Sequence, residues 1–160
     1  MAAKCYFKLN GRHMSEMVCN GFGTVFAFSG NREDRNQPTS TAIPFDGPLP
    51  QGEYFIVDRE SGGRLSRIRD FMQDTLAGTY RAGWFALYRN DSVIDDYTFI
   101  NGVRRGHFRL HPVGRFGVSE GCITLPNVMQ YYHLWQYLKS QQMERVPGSS
   151  LYHYGRVQVR

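Results

Sequence analysis

Short apolar and aromatic runs, broken by Asn-, Asp- and Gly-rich turns, recur along most of the chain. Cys5 to Leu9 precedes Asn10-Gly11, and Glu16 to Cys19 precedes Asn20-Gly21. Both dipeptides favour the positive φ of hairpin turns, so the two runs are predicted strands. Thr24 to Phe28 follows and stops at Ser29-Gly30. Glu53 to Asp58, Trp84 to Tyr88 (closed by Asn90-Asp91) and Val93 to Ile100 (closed by Asn101-Gly102) continue the series. His107 to His111 alternates polar with apolar residues, as a half-buried strand does. Pro112 ends it, because proline cannot donate to a ladder. Leu151 to Val159 reads as a closing strand.

The pattern changes to a helical period twice. Leu65, Ile68, Phe71, Met72 and Leu76 share one face, with Gly78 as a stop. Val128, Tyr131, Tyr132, Trp135 and Leu138 do the same from Pro126 to about Lys139, with Pro126 at an early helical position. Two stretches have neither period. Residues 31–52 are polar and rich in Asn, Pro, Asp and Gly, with a turn at Asp46-Gly47-Pro48; a loop of that length is expected to be functional. Residues 112–121 form a second, glycine-rich loop. No internal repeat or linker appears. The expectation is one domain over residues 1–160, α+β in class and mostly β.

Composition refines this picture. A 160-residue chain with 41% hydrophobic residues can bury roughly 70% of its unfolded surface and needs no disulfide staple. The count of three cysteines leaves at least one thiol unpaired within the chain. Cys5 and Cys19 are expected as small buried hydrophobes, with a disulfide between them as the alternative. Net charge is +5, but the basic residues are scattered and no run of five occurs. Nucleic acid is therefore not the expected partner, whereas anionic cell-wall polymers or an acidic partner protein fit. No Cys-x-x-Cys or His-rich spacing marks a metal site, and no cofactor is expected. The first eighteen residues hold no apolar run long enough for a secretory signal, and no stretch reaches membrane-spanning length.

The densest chemistry lies in His111-Pro-Val-Gly-Arg-Phe-Gly-Val-Ser119-Glu120-Gly121-Cys122-Ile123. A thiol is strongly nucleophilic only as thiolate, and an imidazole can take its proton and return it to a leaving amine. A flexible ten-residue loop can fold back and bring His111 to Cys122. Its glycines allow backbone N–H groups to reach a substrate carbonyl as an oxyanion hole. His107 is the rival base, on the same strand face four residues earlier. His111 is preferred because it ends the strand beside the loop. His13, His133 and His153 are expected as surface or packing residues, and Trp84 and Trp135 as core. Tyr97 and Phe116 are open between cleft and surface.

Ser119-Glu120-Gly121-Cys122-Ile123 with a strand-end His upstream resembles the active-site signature of YkuD-like L,D-transpeptidases. Ala27-Phe28-Ser29-Gly30, Asp46-Gly47-Pro48-Leu49-Pro50-Gln51-Gly52-Glu53-Tyr54, Ile56 to Arg59 and Ser61-Gly62-Gly63 resemble a branch that includes effectors delivered between bacteria by type VI secretion. The resemblance implies a β-sandwich or barrel with one or two packed helices. It implies Cys122 as nucleophile, His111 as base, and Ser119 as the residue orienting loop or imidazole. Gly121 and Cys122 would supply oxyanion donors, with Glu120 beside them. Thr124 stands where such enzymes often carry a substrate-contacting Arg, so Arg109 or Arg115 would have to supply that charge.

The implied substrate is the peptide stem of peptidoglycan, cut or exchanged at its L,D-linked bond. With no apolar leader, the expectation is synthesis in the cytoplasm, injection into a rival's periplasm, a delivery component and a periplasmic immunity protein. A papain- or NlpC-like endopeptidase, using a His downstream of Cys122, is the rival enzyme. A wall-binding module with an inert Cys122 is the rival outside enzymes. An activated thiol is expected to alkylate below pH 7, an inert one not.

Overall fold

The computed structural model describes residues 1–59, 83–114 and 117–160, in which most of the predicted strands join one curled sheet. In chain order the strands are β1 (Ala3–Phe7), β2 (Ser15–Cys19), β3 (Gly23–Ala27), β4 (Gly52–Asp58), β5 (Phe85–Arg89), β6 (Tyr97–Ile100), β7 (Val103–Gly106), β8 (Arg109–Pro112), β9 (Ile123–Leu125), β10 (Glu144–Arg145) and β11 (Tyr152–Val159). One helix, α1 (Val128–Ser140), separates β9 from β10. The helix predicted over 65–76 lies outside the described residues.

The sheet runs β3-β2-β1-β11-β4-β5-β8-β9, with β10 added to β11. Its two ends then meet. Phe28 N–H donates to the Thr124 carbonyl at 2.9 Å, and Thr124 N–H donates to the Phe28 carbonyl at 2.8 Å. This single antiparallel bridge brings the sheet close to a closed barrel. Most pairings are antiparallel, but β1 with β11 and β8 with β9 are parallel. The architecture is α+β and mostly β, as expected.

The inward side chains make one continuous core. Phe7, Met17, Leu49, Tyr54, Ile56, Phe85, Leu87, Leu110, Ile123 and Leu125 are all essentially inaccessible. The alternation of β1 and β2, buried at every second residue, is the period-two signal seen in the sequence. β6 and β7 form a separate hairpin through Asn101-Gly102, whose φ values of 50° and 77° suit the turn type that Asn-Gly favours. β7 was not predicted, because Val103-Arg-Arg-Gly carries too little apolar residue to signal a strand.

Three expectations are corrected. Cys5 and Cys19 are joined in a disulfide. The register Cys5↔Cys19, Tyr6↔Val18, Phe7↔Met17 sets the two thiols opposite each other on the core face. That register is invisible in sequence, because the connection runs through residues 8–14 rather than through a two-residue Asn10-Gly11 turn. Pro126 stands outside α1, and Asn127 caps the helix by accepting from Gln130 N–H at 3.1 Å. The buried face of α1 is Tyr131, Leu134 and Leu138, while Val128 and Tyr132 are exposed. The helix is rotated so that Tyr131 can reach the Leu110 carbonyl (3.2 Å) and the Gly83 carbonyl.

Candidate active site

The parallel pair β8–β9 organises the site. Its register is Leu110↔Ile123, His111↔Thr124 and Pro112↔Leu125. Leu110, Ile123 and Leu125 enter the core, which leaves His111 and Thr124 on the opposite face. Cys122 lies immediately before β9, two residues ahead of Thr124. The bridge between Phe28 and Thr124 then delivers the loop after β3, residues 29–50, to the same place.

His111 is buried and held on three sides. Its Nδ1 lies 2.7 Å from the Pro112 carbonyl oxygen. A carbonyl only accepts, so the proton sits on Nδ1 and Nε2 keeps its lone pair. The Thr124 hydroxyl donates to that lone pair at 3.3 Å. Trp84 stacks on the ring, with centroids 4.2 Å apart and planes 20° from parallel. Burial pushes the imidazole pKa down to about 4, opposed in part by the Pro112 carbonyl. At neutral pH His111 is therefore uncharged, the state a general base requires.

Cys122 is the free cysteine, and it is buried. Its Sγ lies 3.8 Å from the His107 carbonyl oxygen. Burial pushes the thiol up to about 11; a hydrogen bond from the Arg109 backbone and the Arg109 charge pull the other way, while Glu120 and Asp96 add to the rise. The resting pair is neutral thiol and neutral imidazole. Thr124 rather than Cys122 holds the His111 Nε2 hydrogen bond.

His107 is placed differently. Its side chain is largely exposed, with Nδ1 3.1 Å from Asp96 and Nε2 3.0 Å from the Tyr97 hydroxyl. Only its carbonyl faces the thiol. Arg109 is committed to the same Asp96 through a fork of 2.6 and 2.8 Å, so its guanidinium is neutralised rather than open to a ligand. Arg115 and Phe116 lie outside the described residues. His133 is on α1 near Tyr132, and His153 packs on Phe55.

Ser119 and Gly121 shape the turn that presents Cys122. The buried Ser119 hydroxyl donates to the Cys122 carbonyl at 2.8 Å, and Ser119 N–H donates to the Asn31 side-chain oxygen at 2.7 Å. Gly121 has φ +80°, and a Cβ there would lie 2.7 Å from Arg105 Nη2 and 2.9 Å from the Phe108 ring. Only glycine fits. Among the described residues, neither Gly121 N–H nor Cys122 N–H has an acceptor. Glu120 is exposed beside them.

Asn31, Trp84, Asp96 and Arg105 were missed in the sequence. Asn31 was the most accessible of them, since it opens the polar loop already expected to be functional. Nothing in the local pattern marks the other three.

Among the described residues, no group of three or more His, Cys, Asp or Glu side chains could hold a metal ion, and no helix is long and apolar enough to cross a membrane. No curated protein and no solved structure matches the chain. Residues 23–149, which take in the polar loop, β8, the Ser119–Cys122 turn and α1, match the model of the Tlde1 domain, and the chain therefore belongs to that family of type VI secretion effectors directed at the cell wall.

Proposed function

We propose that this effector is a cysteine-dependent acyltransferase of the YkuD-like L,D-transpeptidase type, working through Cys122 and His111 within a single domain. Its substrate is the tetrapeptide stem of peptidoglycan. The observation that carries the reading is the β8–β9 seam. It holds an unprotonated imidazole Nε2, capped by the Thr124 hydroxyl, in register two residues from a thiol, beside two backbone amides that have no acceptor among the described residues.

Cys122 Sγ attacks the carbonyl carbon of the third stem residue as His111 Nε2 takes the thiol proton. The carbonyl oxygen becomes an oxyanion between Gly121 N–H and Cys122 N–H; each such donor is typically worth about 3 kcal/mol. Collapse breaks the C–N bond. The proton passes from His111 to the leaving amine, and D-alanine departs. A thioester on Cys122 remains. Water, deprotonated by His111, cleaves it to a tripeptide and restores the thiol. A D-amino acid or a neighbouring stem amine in place of water completes exchange or cross-linking.

Ser119 keeps the nucleophile turn closed through the Cys122 carbonyl, and Trp84 fixes the imidazole plane. The neutral resting pair suits this route, because the proton is transferred only when a carbonyl is present to accept the developing thiolate. As an injected effector the protein would act in the target periplasm, with an immunity protein there protecting the producer's kin. Mass spectrometry of muropeptides after incubation with purified protein tests the reaction: tetrapeptide should fall and tripeptide rise, and an unchanged profile would return Cys122 to a structural role.

A further inference from the structure

Arg105 is 4% exposed and lies at the end of β7. Its Nη1 donates to the Thr41 carbonyl and, at 3.4 Å, to the Pro48 carbonyl. Nη2 donates to the Gly47 carbonyl at 2.9 Å. All three acceptors belong to the polar loop after β3. The ring of Phe108 lies 5.6 Å from the guanidinium carbon. Nη2 also borders the space over Gly121, where a Cβ would approach it to 2.7 Å. Among the described residues, no Asp or Glu pairs with it.

A buried guanidinium without a carboxylate is unusual, because carbonyl dipoles solvate the charge but do not neutralise it. Arg109, four residues further along the chain at the start of β8, shows the ordinary solution in its fork to Asp96. The uncompensated charge at Arg105 stands against Gly121, whose N–H is one of the two donors the proposed reaction turns toward a transient anion. Burial pulls the Arg105 pKa down, while Tyr54 and Cys122 pull it up. Arg105 does not figure among the influences on the thiol itself. The geometry at Gly121 therefore carries the argument.

We propose that Arg105 is a positioning residue for the acyl-transfer step, holding the polar loop by its carbonyls and biasing the Gly121–Cys122 turn toward negative charge. This deepens the reading of Cys122 as nucleophile and rests on it. The cation acts through the turn and the field at Cys122, not by touching substrate. Unlike Arg109, whose guanidinium is forked to Asp96, it carries its charge without a carboxylate partner among the described residues.

The test compares Arg105→Gln, which keeps donors but not charge, with Arg105→Lys, which keeps charge but not the fork. Each is checked for folding by circular dichroism. Two readouts follow: iodoacetamide alkylation of Cys122 between pH 7 and 10, and turnover of a purified disaccharide tetrapeptide. Cys122 is the sole free thiol, so alkylation reads it directly. Folded Arg105→Gln should alkylate at least about three-fold more slowly at pH 8.5 and lose at least ten-fold in kcat, with KM within two-fold. Arg105→Lys should keep the wild-type alkylation profile.

Folded Arg105→Gln with wild-type alkylation and kcat would overturn the proposal. So would an Arg105→Lys profile displaced upward by a full pH unit, which decides the matter alone if the Gln variant does not fold. Absence of turnover in the wild type would instead count against the acyl-transfer reading, and the alkylation comparison would still report on Arg105.

Discussion

Cys5 and Cys19 face each other across two antiparallel strands in the barrel wall, whereas Cys122 stands at the head of a three-residue strand beside a parallel partner. All three are buried. What separates them is what their neighbours leave available. In β1–β2 each sulfur has the other as its partner, and the surroundings are aliphatic and aromatic. At β8–β9 the sulfur meets the His107 carbonyl and the Arg109 amide and charge, and His111 pairs in register with Thr124 two residues on. Burial alone makes a cysteine inert. Burial beside an unprotonated imidazole and amide donors without acceptors among the described residues is what the proposed nucleophile role rests on.

The contrast is broken most severely by exchanging sulfur for methyl at each site. Periplasm-directed Cys122→Ala should lose all toxicity, and kcat should fall on the order of a thousand-fold or more. Cys5→Ala and Cys19→Ala should retain toxicity where the fold survives. Full toxicity of Cys122→Ala would end the distinction.

The two histidines sharpen the same contrast. His111→Ala should lower kcat about a hundred-fold or more, because the general base is gone. His107→Ala should cost only a few-fold, since its ring faces Asp96 and Tyr97. Equal losses in steady-state turnover would show that the assignment of the base is wrong.

Smaller effects follow on stability. Reducing the Cys5–Cys19 disulfide, which closes a loop of sequence separation 14, should cost about 3 kcal/mol, read as a lower Tm. Turnover at 25 °C should survive while the protein stays folded. A pH effect runs through His111. Its pKa is lowered to about 4 in the native state from 6.5, so between those values the unfolded chain binds a proton that the folded chain refuses. Stability should therefore fall as pH drops from 6.5 toward 4, by at most about 3 kcal/mol from this group. His153, also held down chiefly by burial, adds in the same direction. A Tm profile of His111→Asn should be flatter over that window. Smallest of all, Ser119→Ala should lose about 1 to 2 kcal/mol, from the hydrogen bond to the Cys122 carbonyl.

The same two regions show why some of this was legible in the sequence. β1, β2 and β3 are consecutive and antiparallel, so local alternation and Gly-bearing turns were enough to find them. Their register was not legible, and with it went the disulfide. The β8–β9 seam was legible only as chemistry. A His at a strand end, a glycine-rich loop and Ser-Glu-Gly-Cys pointed to a paired thiol and imidazole. The parallel pairing, the Thr124 hydroxyl on Nε2 and the Trp84 stack depend on long-range closure of the barrel. Arg105 and Asp96 were hidden for the same reason. Their roles come from which loop lies against them, and β7 itself carries no strand signal.

The central claim is that Cys122 carries acyl transfer on the stem peptide. Purified wild type and Cys122→Ala, incubated with peptidoglycan sacculi and followed by mass spectrometry of the released muropeptides, test it most directly. The account predicts conversion of tetrapeptide to tripeptide, or to D-amino-acid-exchanged stems, by wild type alone. Equal conversion by Cys122→Ala would contradict it, as would intact tetrapeptide with the folded wild type.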